Sequence, residues 1–287
     1  MSNSLILGTV QFGLNYGINN SSGKPEPNQV FEILEKAADL GIKTLDTADA
    51  YGNASELIGI FFSNSQTRFD INTKFKVEKS KTIEEQLYNS LKILNTDCIN
   101  VYFYHSFQEM IDFPDTLISL KKLKSKLLIR KIGVSVYDNH EFKTAIQTPE
   151  IDVIQLPFNL LDNLNQRGIL LKEAKSRGKE IQVRSIFLQG LFFKKVTDLP
   201  KLLLPLAPYL NTINNISQEN NITVEALALS YPLSQPTIDY VLLGVDNIEQ
   251  LERNSLHAAF KPKDNVTEKI NAIHVTETEL LYPKNWK

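Results

Sequence analysis

KTLDTADAYGNASELIGIFFSNSQTRFDINTKF, Lys43 to Phe75, holds the pattern that decides the fold. Two short apolar runs rich in strand formers, Lys43 to Ala48 and Asp70 to Phe75, predict strands, and Ser55 to Phe62 between them repeats at helical spacing. Strand, helix, strand in that order predicts a parallel pair joined by a crossover helix, because parallel neighbours cannot be joined by a tight turn. The unit recurs in both directions along the chain. Further strands are predicted at Leu5 to Val10, Asn100 to Ser106, Lys131 to Tyr137, Asp152 to Asn159, Glu180 to Phe187 and Asp239 to Val245, making eight. Helices are predicted at Gln29 to Leu40, Ile83 to Leu94, Asp115 to Lys126, His140 to Ile146, Gln166 to Arg177, Val224 to Tyr231 and Ile248 to Ala258.

Near-continuous apolar strands alternating with helices predict a parallel sheet covered on its outer face, and eight such units match a closed (β/α)8 TIM barrel better than an open sheet. No linker rich in Gly, Pro or Ser divides the 287 residues, so one domain over 1–287 is expected. Two stretches break the rhythm. About fifty residues, with Pro200, Pro205 and Pro208, separate the seventh and eighth strands and leave room for an extra helix. The tail after Phe260 carries another helical stretch near Val266 to Ile273 and the only tryptophan, Trp286.

Composition narrows the partners. With 31 basic and 33 acidic residues the formal charge is -2, so no overall positive field draws in nucleic acid or an anionic membrane, and a small-molecule ligand is expected. The one dense basic run, Lys121 to Lys131, reads as a solvated helix face. Cys98 is the only cysteine, which excludes an internal disulfide and points to a reducing, cytoplasmic setting. No eighteen apolar residues run together and the start MSNSLILGTVQFG lacks a basic n-region, so neither a membrane span nor export is expected. The four histidines lack ligand spacing, and no metal is expected.

In such a barrel the active site lies at the C-terminal ends of the strands. Asp46 closes the second strand, Lys74 stands near the end of the third, His105 ends the fourth, and Tyr51 follows the second by a short loop. Taken singly, an Asp before a turn caps, a strand-end Lys is solvated, a loop Tyr packs and a lone His is satisfied by its neighbours. Placed on one rim, the carboxylate, ammonium, phenol and imidazole converge on one point.

The segment DTADAYGNASELIG, Asp46 to Gly59, resembles the signature of the aldo-keto reductase superfamily, and INTKF and VYFYHS present a lysine and a histidine where that family presents the rest of its tetrad. The resemblance runs from Leu5 to Asn254. It implies hydride exchange between NADP(H) or NAD(H) and a carbonyl or alcohol, with Tyr51 as general acid, Lys74 and Asp46 tuning it, and His105 orienting the carbonyl oxygen. A free phenol, with a pKa of about 10, is too weak an acid, and an ammonium ~4 Å away would lower it by about three units before desolvation acts. The resemblance also implies cofactor contacts from Gly8 and Thr9, from Ser135 and Gln155 at the nicotinamide carboxamide, and from Gly244, Asp246, Gln250 and Asn254 at the adenosine end.

Three departures from the family pattern bear on function. Arg184 stands where many relatives place an aromatic ring against the nicotinamide, so its guanidinium plane either substitutes for the ring or meets an anionic substrate. Asp246 stands where NADPH users offer a cation to the 2′-phosphate, which favours NAD(H). Asp246 with Glu249 also reads as a capping box for the last barrel helix. Only four residues precede the first strand, so the hairpin that plugs the barrel floor in relatives is short or missing. The long polar loop Phe12 to Asn28 suits a hydroxylated, sugar-like carbonyl substrate, and equally an ordinary solvated loop. Two other readings stand beside the reductase: a nicotinamide-binding sensor or partner subunit without turnover, and a lyase using Lys74 as a Schiff-base nucleophile. No feature of the sequence assigns an oligomeric state.

Overall fold

The eight runs predicted as strands all form, as β1 (Leu5–Gly8), β2 (Thr44–Asp46), β3 (Asp70–Phe75), β4 (Ile99–Tyr104), β5 (Ile129–Ser135), β6 (Val153–Pro157), β7 (Glu180–Arg184) and β8 (Tyr240–Gly244). In the computed structural model, which describes residues 4–20, 23–78 and 80–286, they close into a barrel in sequential order, every neighbour parallel and β8 returning to β1. Except in β3, the chain leaves the ladder one to three residues earlier than predicted. Hydrophobic patterning reads burial, and these residues stay buried or half-buried as they turn into the rim loops.

The helices are α1 (Val10–Gly13), α2 (Pro27–Asp39), α3 (Ala54–Asn64), α4 (Ile83–Leu94), α5 (Phe107–Asp112), α6 (Thr116–Ser125), α7 (Asn139–Gln147), α8 (Leu164–Ser176), α9 (Ala207–Glu219), α10 (Val224–Leu233), α11 (Ile248–Ala258) and α12 (Asp264–Asn271). Helix α9 is the extra helix expected before the eighth strand, reached through 3-10 turns at Leu188–Phe193, Val196–Asp198 and Lys201–Leu206. The short α5 was not expected, although its signal is present: Ser106 and Glu109 form a capping box. Among the described residues no helix is long and apolar enough to cross a membrane.

Strand residues alternate between two environments. Leu5, Leu7, Tyr102, Tyr104, Ile154 and Val183 join the main core under the helices, whereas Val101, Phe103 and Val153 form a separate cluster inside the barrel. Gly133 lies opposite Phe103 in the β4–β5 register. A Cβ on Gly133 would stand 2.3 Å from Phe103 Cδ1, so the missing side chain is what admits the ring to the lumen. Below the ring, a polar chain crosses the barrel. Asn100 donates to Asn72 (2.9 Å), Asn72 to Gln182 (3.3 Å) and Gln182 to Glu180 (2.9 Å), and Glu180 pairs with Lys131. Mutual hydrogen bonds satisfy these lumen groups.

Candidate active site

Asp46 and Lys74 stand on adjacent strands and are 1% and 2% exposed. Lys74 Nζ donates to Asp46 Oδ1 and, at 3.3 Å, to the Thr47 carbonyl. Gln155 Nε2 donates to Asp46 Oδ2 at 2.9 Å. The carboxylate thus holds a partner on each oxygen, as a buried charge requires. Burial lowers the Lys74 pKa below its ordinary value and Asp46 only partly offsets this, while the amine stays paired with the carboxylate.

Tyr51 reaches the same rim on a short turn. Its N–H donates to the Ala48 carbonyl and its carbonyl accepts from Ala54 N–H, while Asp49 N–H ties the loop to Lys74 O on β3. Close packing against α1 fixes the turn. A Cβ on Gly13 would stand 1.7 Å from the Tyr51 carbonyl oxygen, and one on Gly52, whose φ is +55°, 2.4 Å from Gly13 O. Lys74 Nζ lies 5.4 Å from the Tyr51 ring centroid, and the His105 ring meets that ring edge-on at 6.2 Å. The four tetrad side chains therefore converge.

The electrostatics differ from expectation in one respect. Lys74 was expected to bring the phenol towards neutral pH. In this chain, burial and then the Asp46 charge raise the Tyr51 pKa above its ordinary value, with Arg184 only partly offsetting them. The phenol therefore stays protonated. His105 is pushed down to about 4, by burial first and then by Lys74, Lys76 and Arg184, so its imidazole is neutral at physiological pH.

A family model described as "Aldo/keto reductase family" matches residues 4–274. The chain belongs to the aldo/keto reductase family. It is 27% identical over 261 residues to the aldo-keto reductase YhdN of Bacillus subtilis, covering 80% of this chain and 78% of that one. To the NADH-specific methylglyoxal reductase of Escherichia coli it is 27% identical over 263 residues, covering 77% and 80%. The fold is that of an aldo-keto reductase of Klebsiella pneumoniae in complex with NADPH, with a TM-score of 0.71 at 19% identity over 96% of this chain and 93% of that one. Its relatives are oxidoreductases, one bound to NADPH and another NADH-specific.

The remaining predicted residues of this aldo/keto reductase line the same end of the barrel. Gly8 and Gly244 are register partners on β1 and β8. Thr9 is wholly buried, with both its amide and its hydroxyl on the Asp46 carbonyl. Ser135 and Gln155 are register partners on β5 and β6. On α11, Asn254 is nearly buried, and the Gln250 side chain is folded back onto Asp246, accepting from its N–H at 2.8 Å and donating to Oδ2 at 3.2 Å. The capping box expected from Asp246 and Glu249 does not form. Asn247 caps the helix instead, accepting from Gln250 N–H at 2.8 Å, because the chain is still extended at Asn247 and the first turn begins one residue later.

The residues present fit a nicotinamide dinucleotide. Gln155 Oε1, His105 Nδ1 and Asp246 Oδ1 are buried without a hydrogen-bond partner among the described residues. Such atoms are costly unless a ligand pairs with them.

Arg184 does not stand as an isolated substitute for an aromatic ring. Its guanidinium lies 4.3 Å from the centroid of Tyr137, so this site keeps a ring, supplied from the loop after β5. Sequence reasoning missed Tyr137, and with it Tyr16, whose hydroxyl accepts from Gln189 at 3.1 Å, and Lys284, 3.9 Å from the Tyr137 centroid. Only the aromatic at the end of the fifth predicted strand was there to read; the pairing with a C-terminal lysine is tertiary. The loop Phe12 to Asn28 does cross the rim: Ile18 N–H donates to Gln189 O at 3.0 Å and Asn19 to Gly190 O at 2.6 Å. Ser21 and Ser22 of that loop lie outside the described residues.

Proposed function

We propose that this chain, working as one domain, interconverts a carbonyl and an alcohol with a nicotinamide dinucleotide, Tyr51 serving as general acid and base. The observation that carries the reading is the convergence of the Tyr51 phenol, the neutral His105 imidazole and the Lys74 ammonium at one rim, over a buried Asp46.

The dinucleotide supplies the hydride, which no side chain can. This chain's residues manage the charge that appears on oxygen. A neutral imidazole donates a hydrogen bond to the carbonyl oxygen, which strengthens as negative charge develops there. Tyr51 Oη, held protonated by burial, hands its proton to that oxygen. The nearby Lys74 ammonium stabilises the phenolate left behind, and Asp46 with Gln155 fixes the ammonium in place. The same ion pair argues against a Schiff-base lyase, which needs a free neutral amine.

For the dinucleotide, Gln155 Oε1 and Ser135 suit the carboxamide, Gly8 and Thr9 the rim beside it, and Gly244, Asp246, Gln250 and Asn254 the adenosine end. The unpartnered Asp246 Oδ1 suits a ribose hydroxyl and repels a 2′-phosphate, which favours NAD(H).

Fluorescence titration with NADH and NADPH, followed by the absorbance of reduced nicotinamide with aldehydes, ketones and sugars, tests the reading. Tyr51→Phe is expected to bind dinucleotide as before and to lose turnover by ~100-fold or more. Wild-type turnover in Tyr51→Phe, or dinucleotide binding without turnover of any carbonyl, would remove the assignment, the latter in favour of a sensor.

A further inference from the structure

Two cations share one ring at the mouth of the barrel. Arg184 at the end of β7 and Lys284 in the C-terminal segment lie 4.3 and 3.9 Å from the Tyr137 centroid. Neither pairs with a carboxylate among the described residues. The acidic groups around them are already engaged: Asp46 by Lys74 and Gln155, Asp162 by Arg167 (2.7 Å), Glu141 by the Tyr137 N–H (2.6 Å) and Asp138 by the Glu141 N–H (2.8 Å). The guanidinium is only loosely tethered, to Val136 O at 3.3 Å and to the Ser185 and Ser135 hydroxyls at 3.4 and 3.5 Å. Most of its donor capacity is unspent.

The lysine is brought there by built structure. Trp286 Nε1 donates to Leu280 O at 2.8 Å and Asn285 to Glu279 O at 2.8 Å, and Tyr282 packs edge-on against Tyr137 at 5.6 Å. Two like charges on one ring repel each other, a cost the ring's negative face offsets only in part. An anion that meets both cations would offset that repulsion. The guanidinium fork adds two parallel donors matched to a carboxylate or phosphate. Arg184 also lies towards the reacting end: its Nη2 reaches Ser135 Oγ at 3.5 Å, and Ser135 is the register partner of Gln155, which donates to Asp46.

We infer that Arg184 and Lys284 form an anion subsite and that the carbonyl substrate carries a carboxylate or phosphate group. The inference rests on the oxidoreductase reading of the same site. The anion is bound by Arg184 and Lys284 beside Tyr137, while the carbonyl meets Tyr51 and His105.

Matched probes test it: 4-oxobutanoate against butanal, and glyceraldehyde 3-phosphate against glyceraldehyde, each assayed with full-length protein and saturating dinucleotide. In at least one pair the anionic member is expected to have a kcat/KM ten-fold or more above its neutral partner, and which pair shows it identifies the anion. That ratio should fall towards one in Arg184→Gln and in Lys284→Gln, and towards one with added salt. Ratios near one in the wild type, or a ratio unmoved by both substitutions, would overturn the subsite. So would a weaker dinucleotide Kd in Arg184→Gln with the ratio intact, which would assign the cation to the dinucleotide. Calorimetric binding of 4-oxobutanoate and glyceraldehyde 3-phosphate separates the two readings. Arg184-dependent binding without any turnover keeps the subsite and removes the oxidoreductase; turnover of neutral carbonyls alone does the reverse.

Discussion

Lys74 and Asp46, 28 residues apart in the chain, form an ion pair whose side chains are 3% and 2% exposed, with Gln155 closing the second carboxylate oxygen. The pair sits directly under the phenol, so its integrity sets both the stability of the barrel and the electrostatics of the site.

Removing one partner leaves an uncompensated buried charge. Lys74→Met is expected to lower unfolding free energy by about 3–5 kcal/mol, and the double replacement Lys74→Met with Asp46→Leu to recover most of it. Urea denaturation of the three proteins measures this. A double variant no more stable than the single would mean that shape, not charge, sets the cost.

His105 gives a pH signature. Its pKa, pushed down to about 4, lies below the ordinary histidine value of 6.5. The unfolded chain therefore takes up a proton that the native chain refuses, and stability falls as pH drops from about 6.5 to about 4. His105→Asn should flatten that part of the stability curve. An identical slope in wild type and variant would show that other groups carry it.

The approach of Gly13 to Tyr51 predicts that a single methyl moves the phenol. Gly13→Ala should cost about 1–3 kcal/mol through overpacking against backbone, and reduce kcat more than dinucleotide affinity. Gly168→Ala in α8 is the contrast, since its Cβ would meet only Leu164 side-chain atoms at 3.7 and 3.8 Å. There, a gain of up to about 1 kcal/mol is expected from helix propensity. Equal behaviour of the two variants would argue against the packing account.

Asp246→Arg should shift the ratio of NADPH to NADH affinity upwards by ten-fold or more, as a repelling carboxylate becomes a phosphate partner. Fluorescence titration with both dinucleotides reads this directly. An unchanged ratio would confine Asp246 to its contact with Gln250.

The sequence by itself determined the barrel and which residues meet at the rim where the proposed chemistry sits. Alternation of apolar strands with helices is local information, and the tetrad residues sit at strand ends or one loop beyond, where the fold puts them on the rim. Even the unexpected α5 was legible in Ser106 and Glu109. What only tertiary structure decided were relationships between strands far apart. Gln155 completes Asp46 across 109 residues, Asn72 meets Gln182 across the lumen, and Lys284 reaches the ring that also carries Arg184. The direction of the Tyr51 pKa belongs to this second class, because it is set by how deeply the phenol is buried and by the Asp46 charge. Periodicity records which face of an element is dry; it does not record which side chains meet once the sheet has closed.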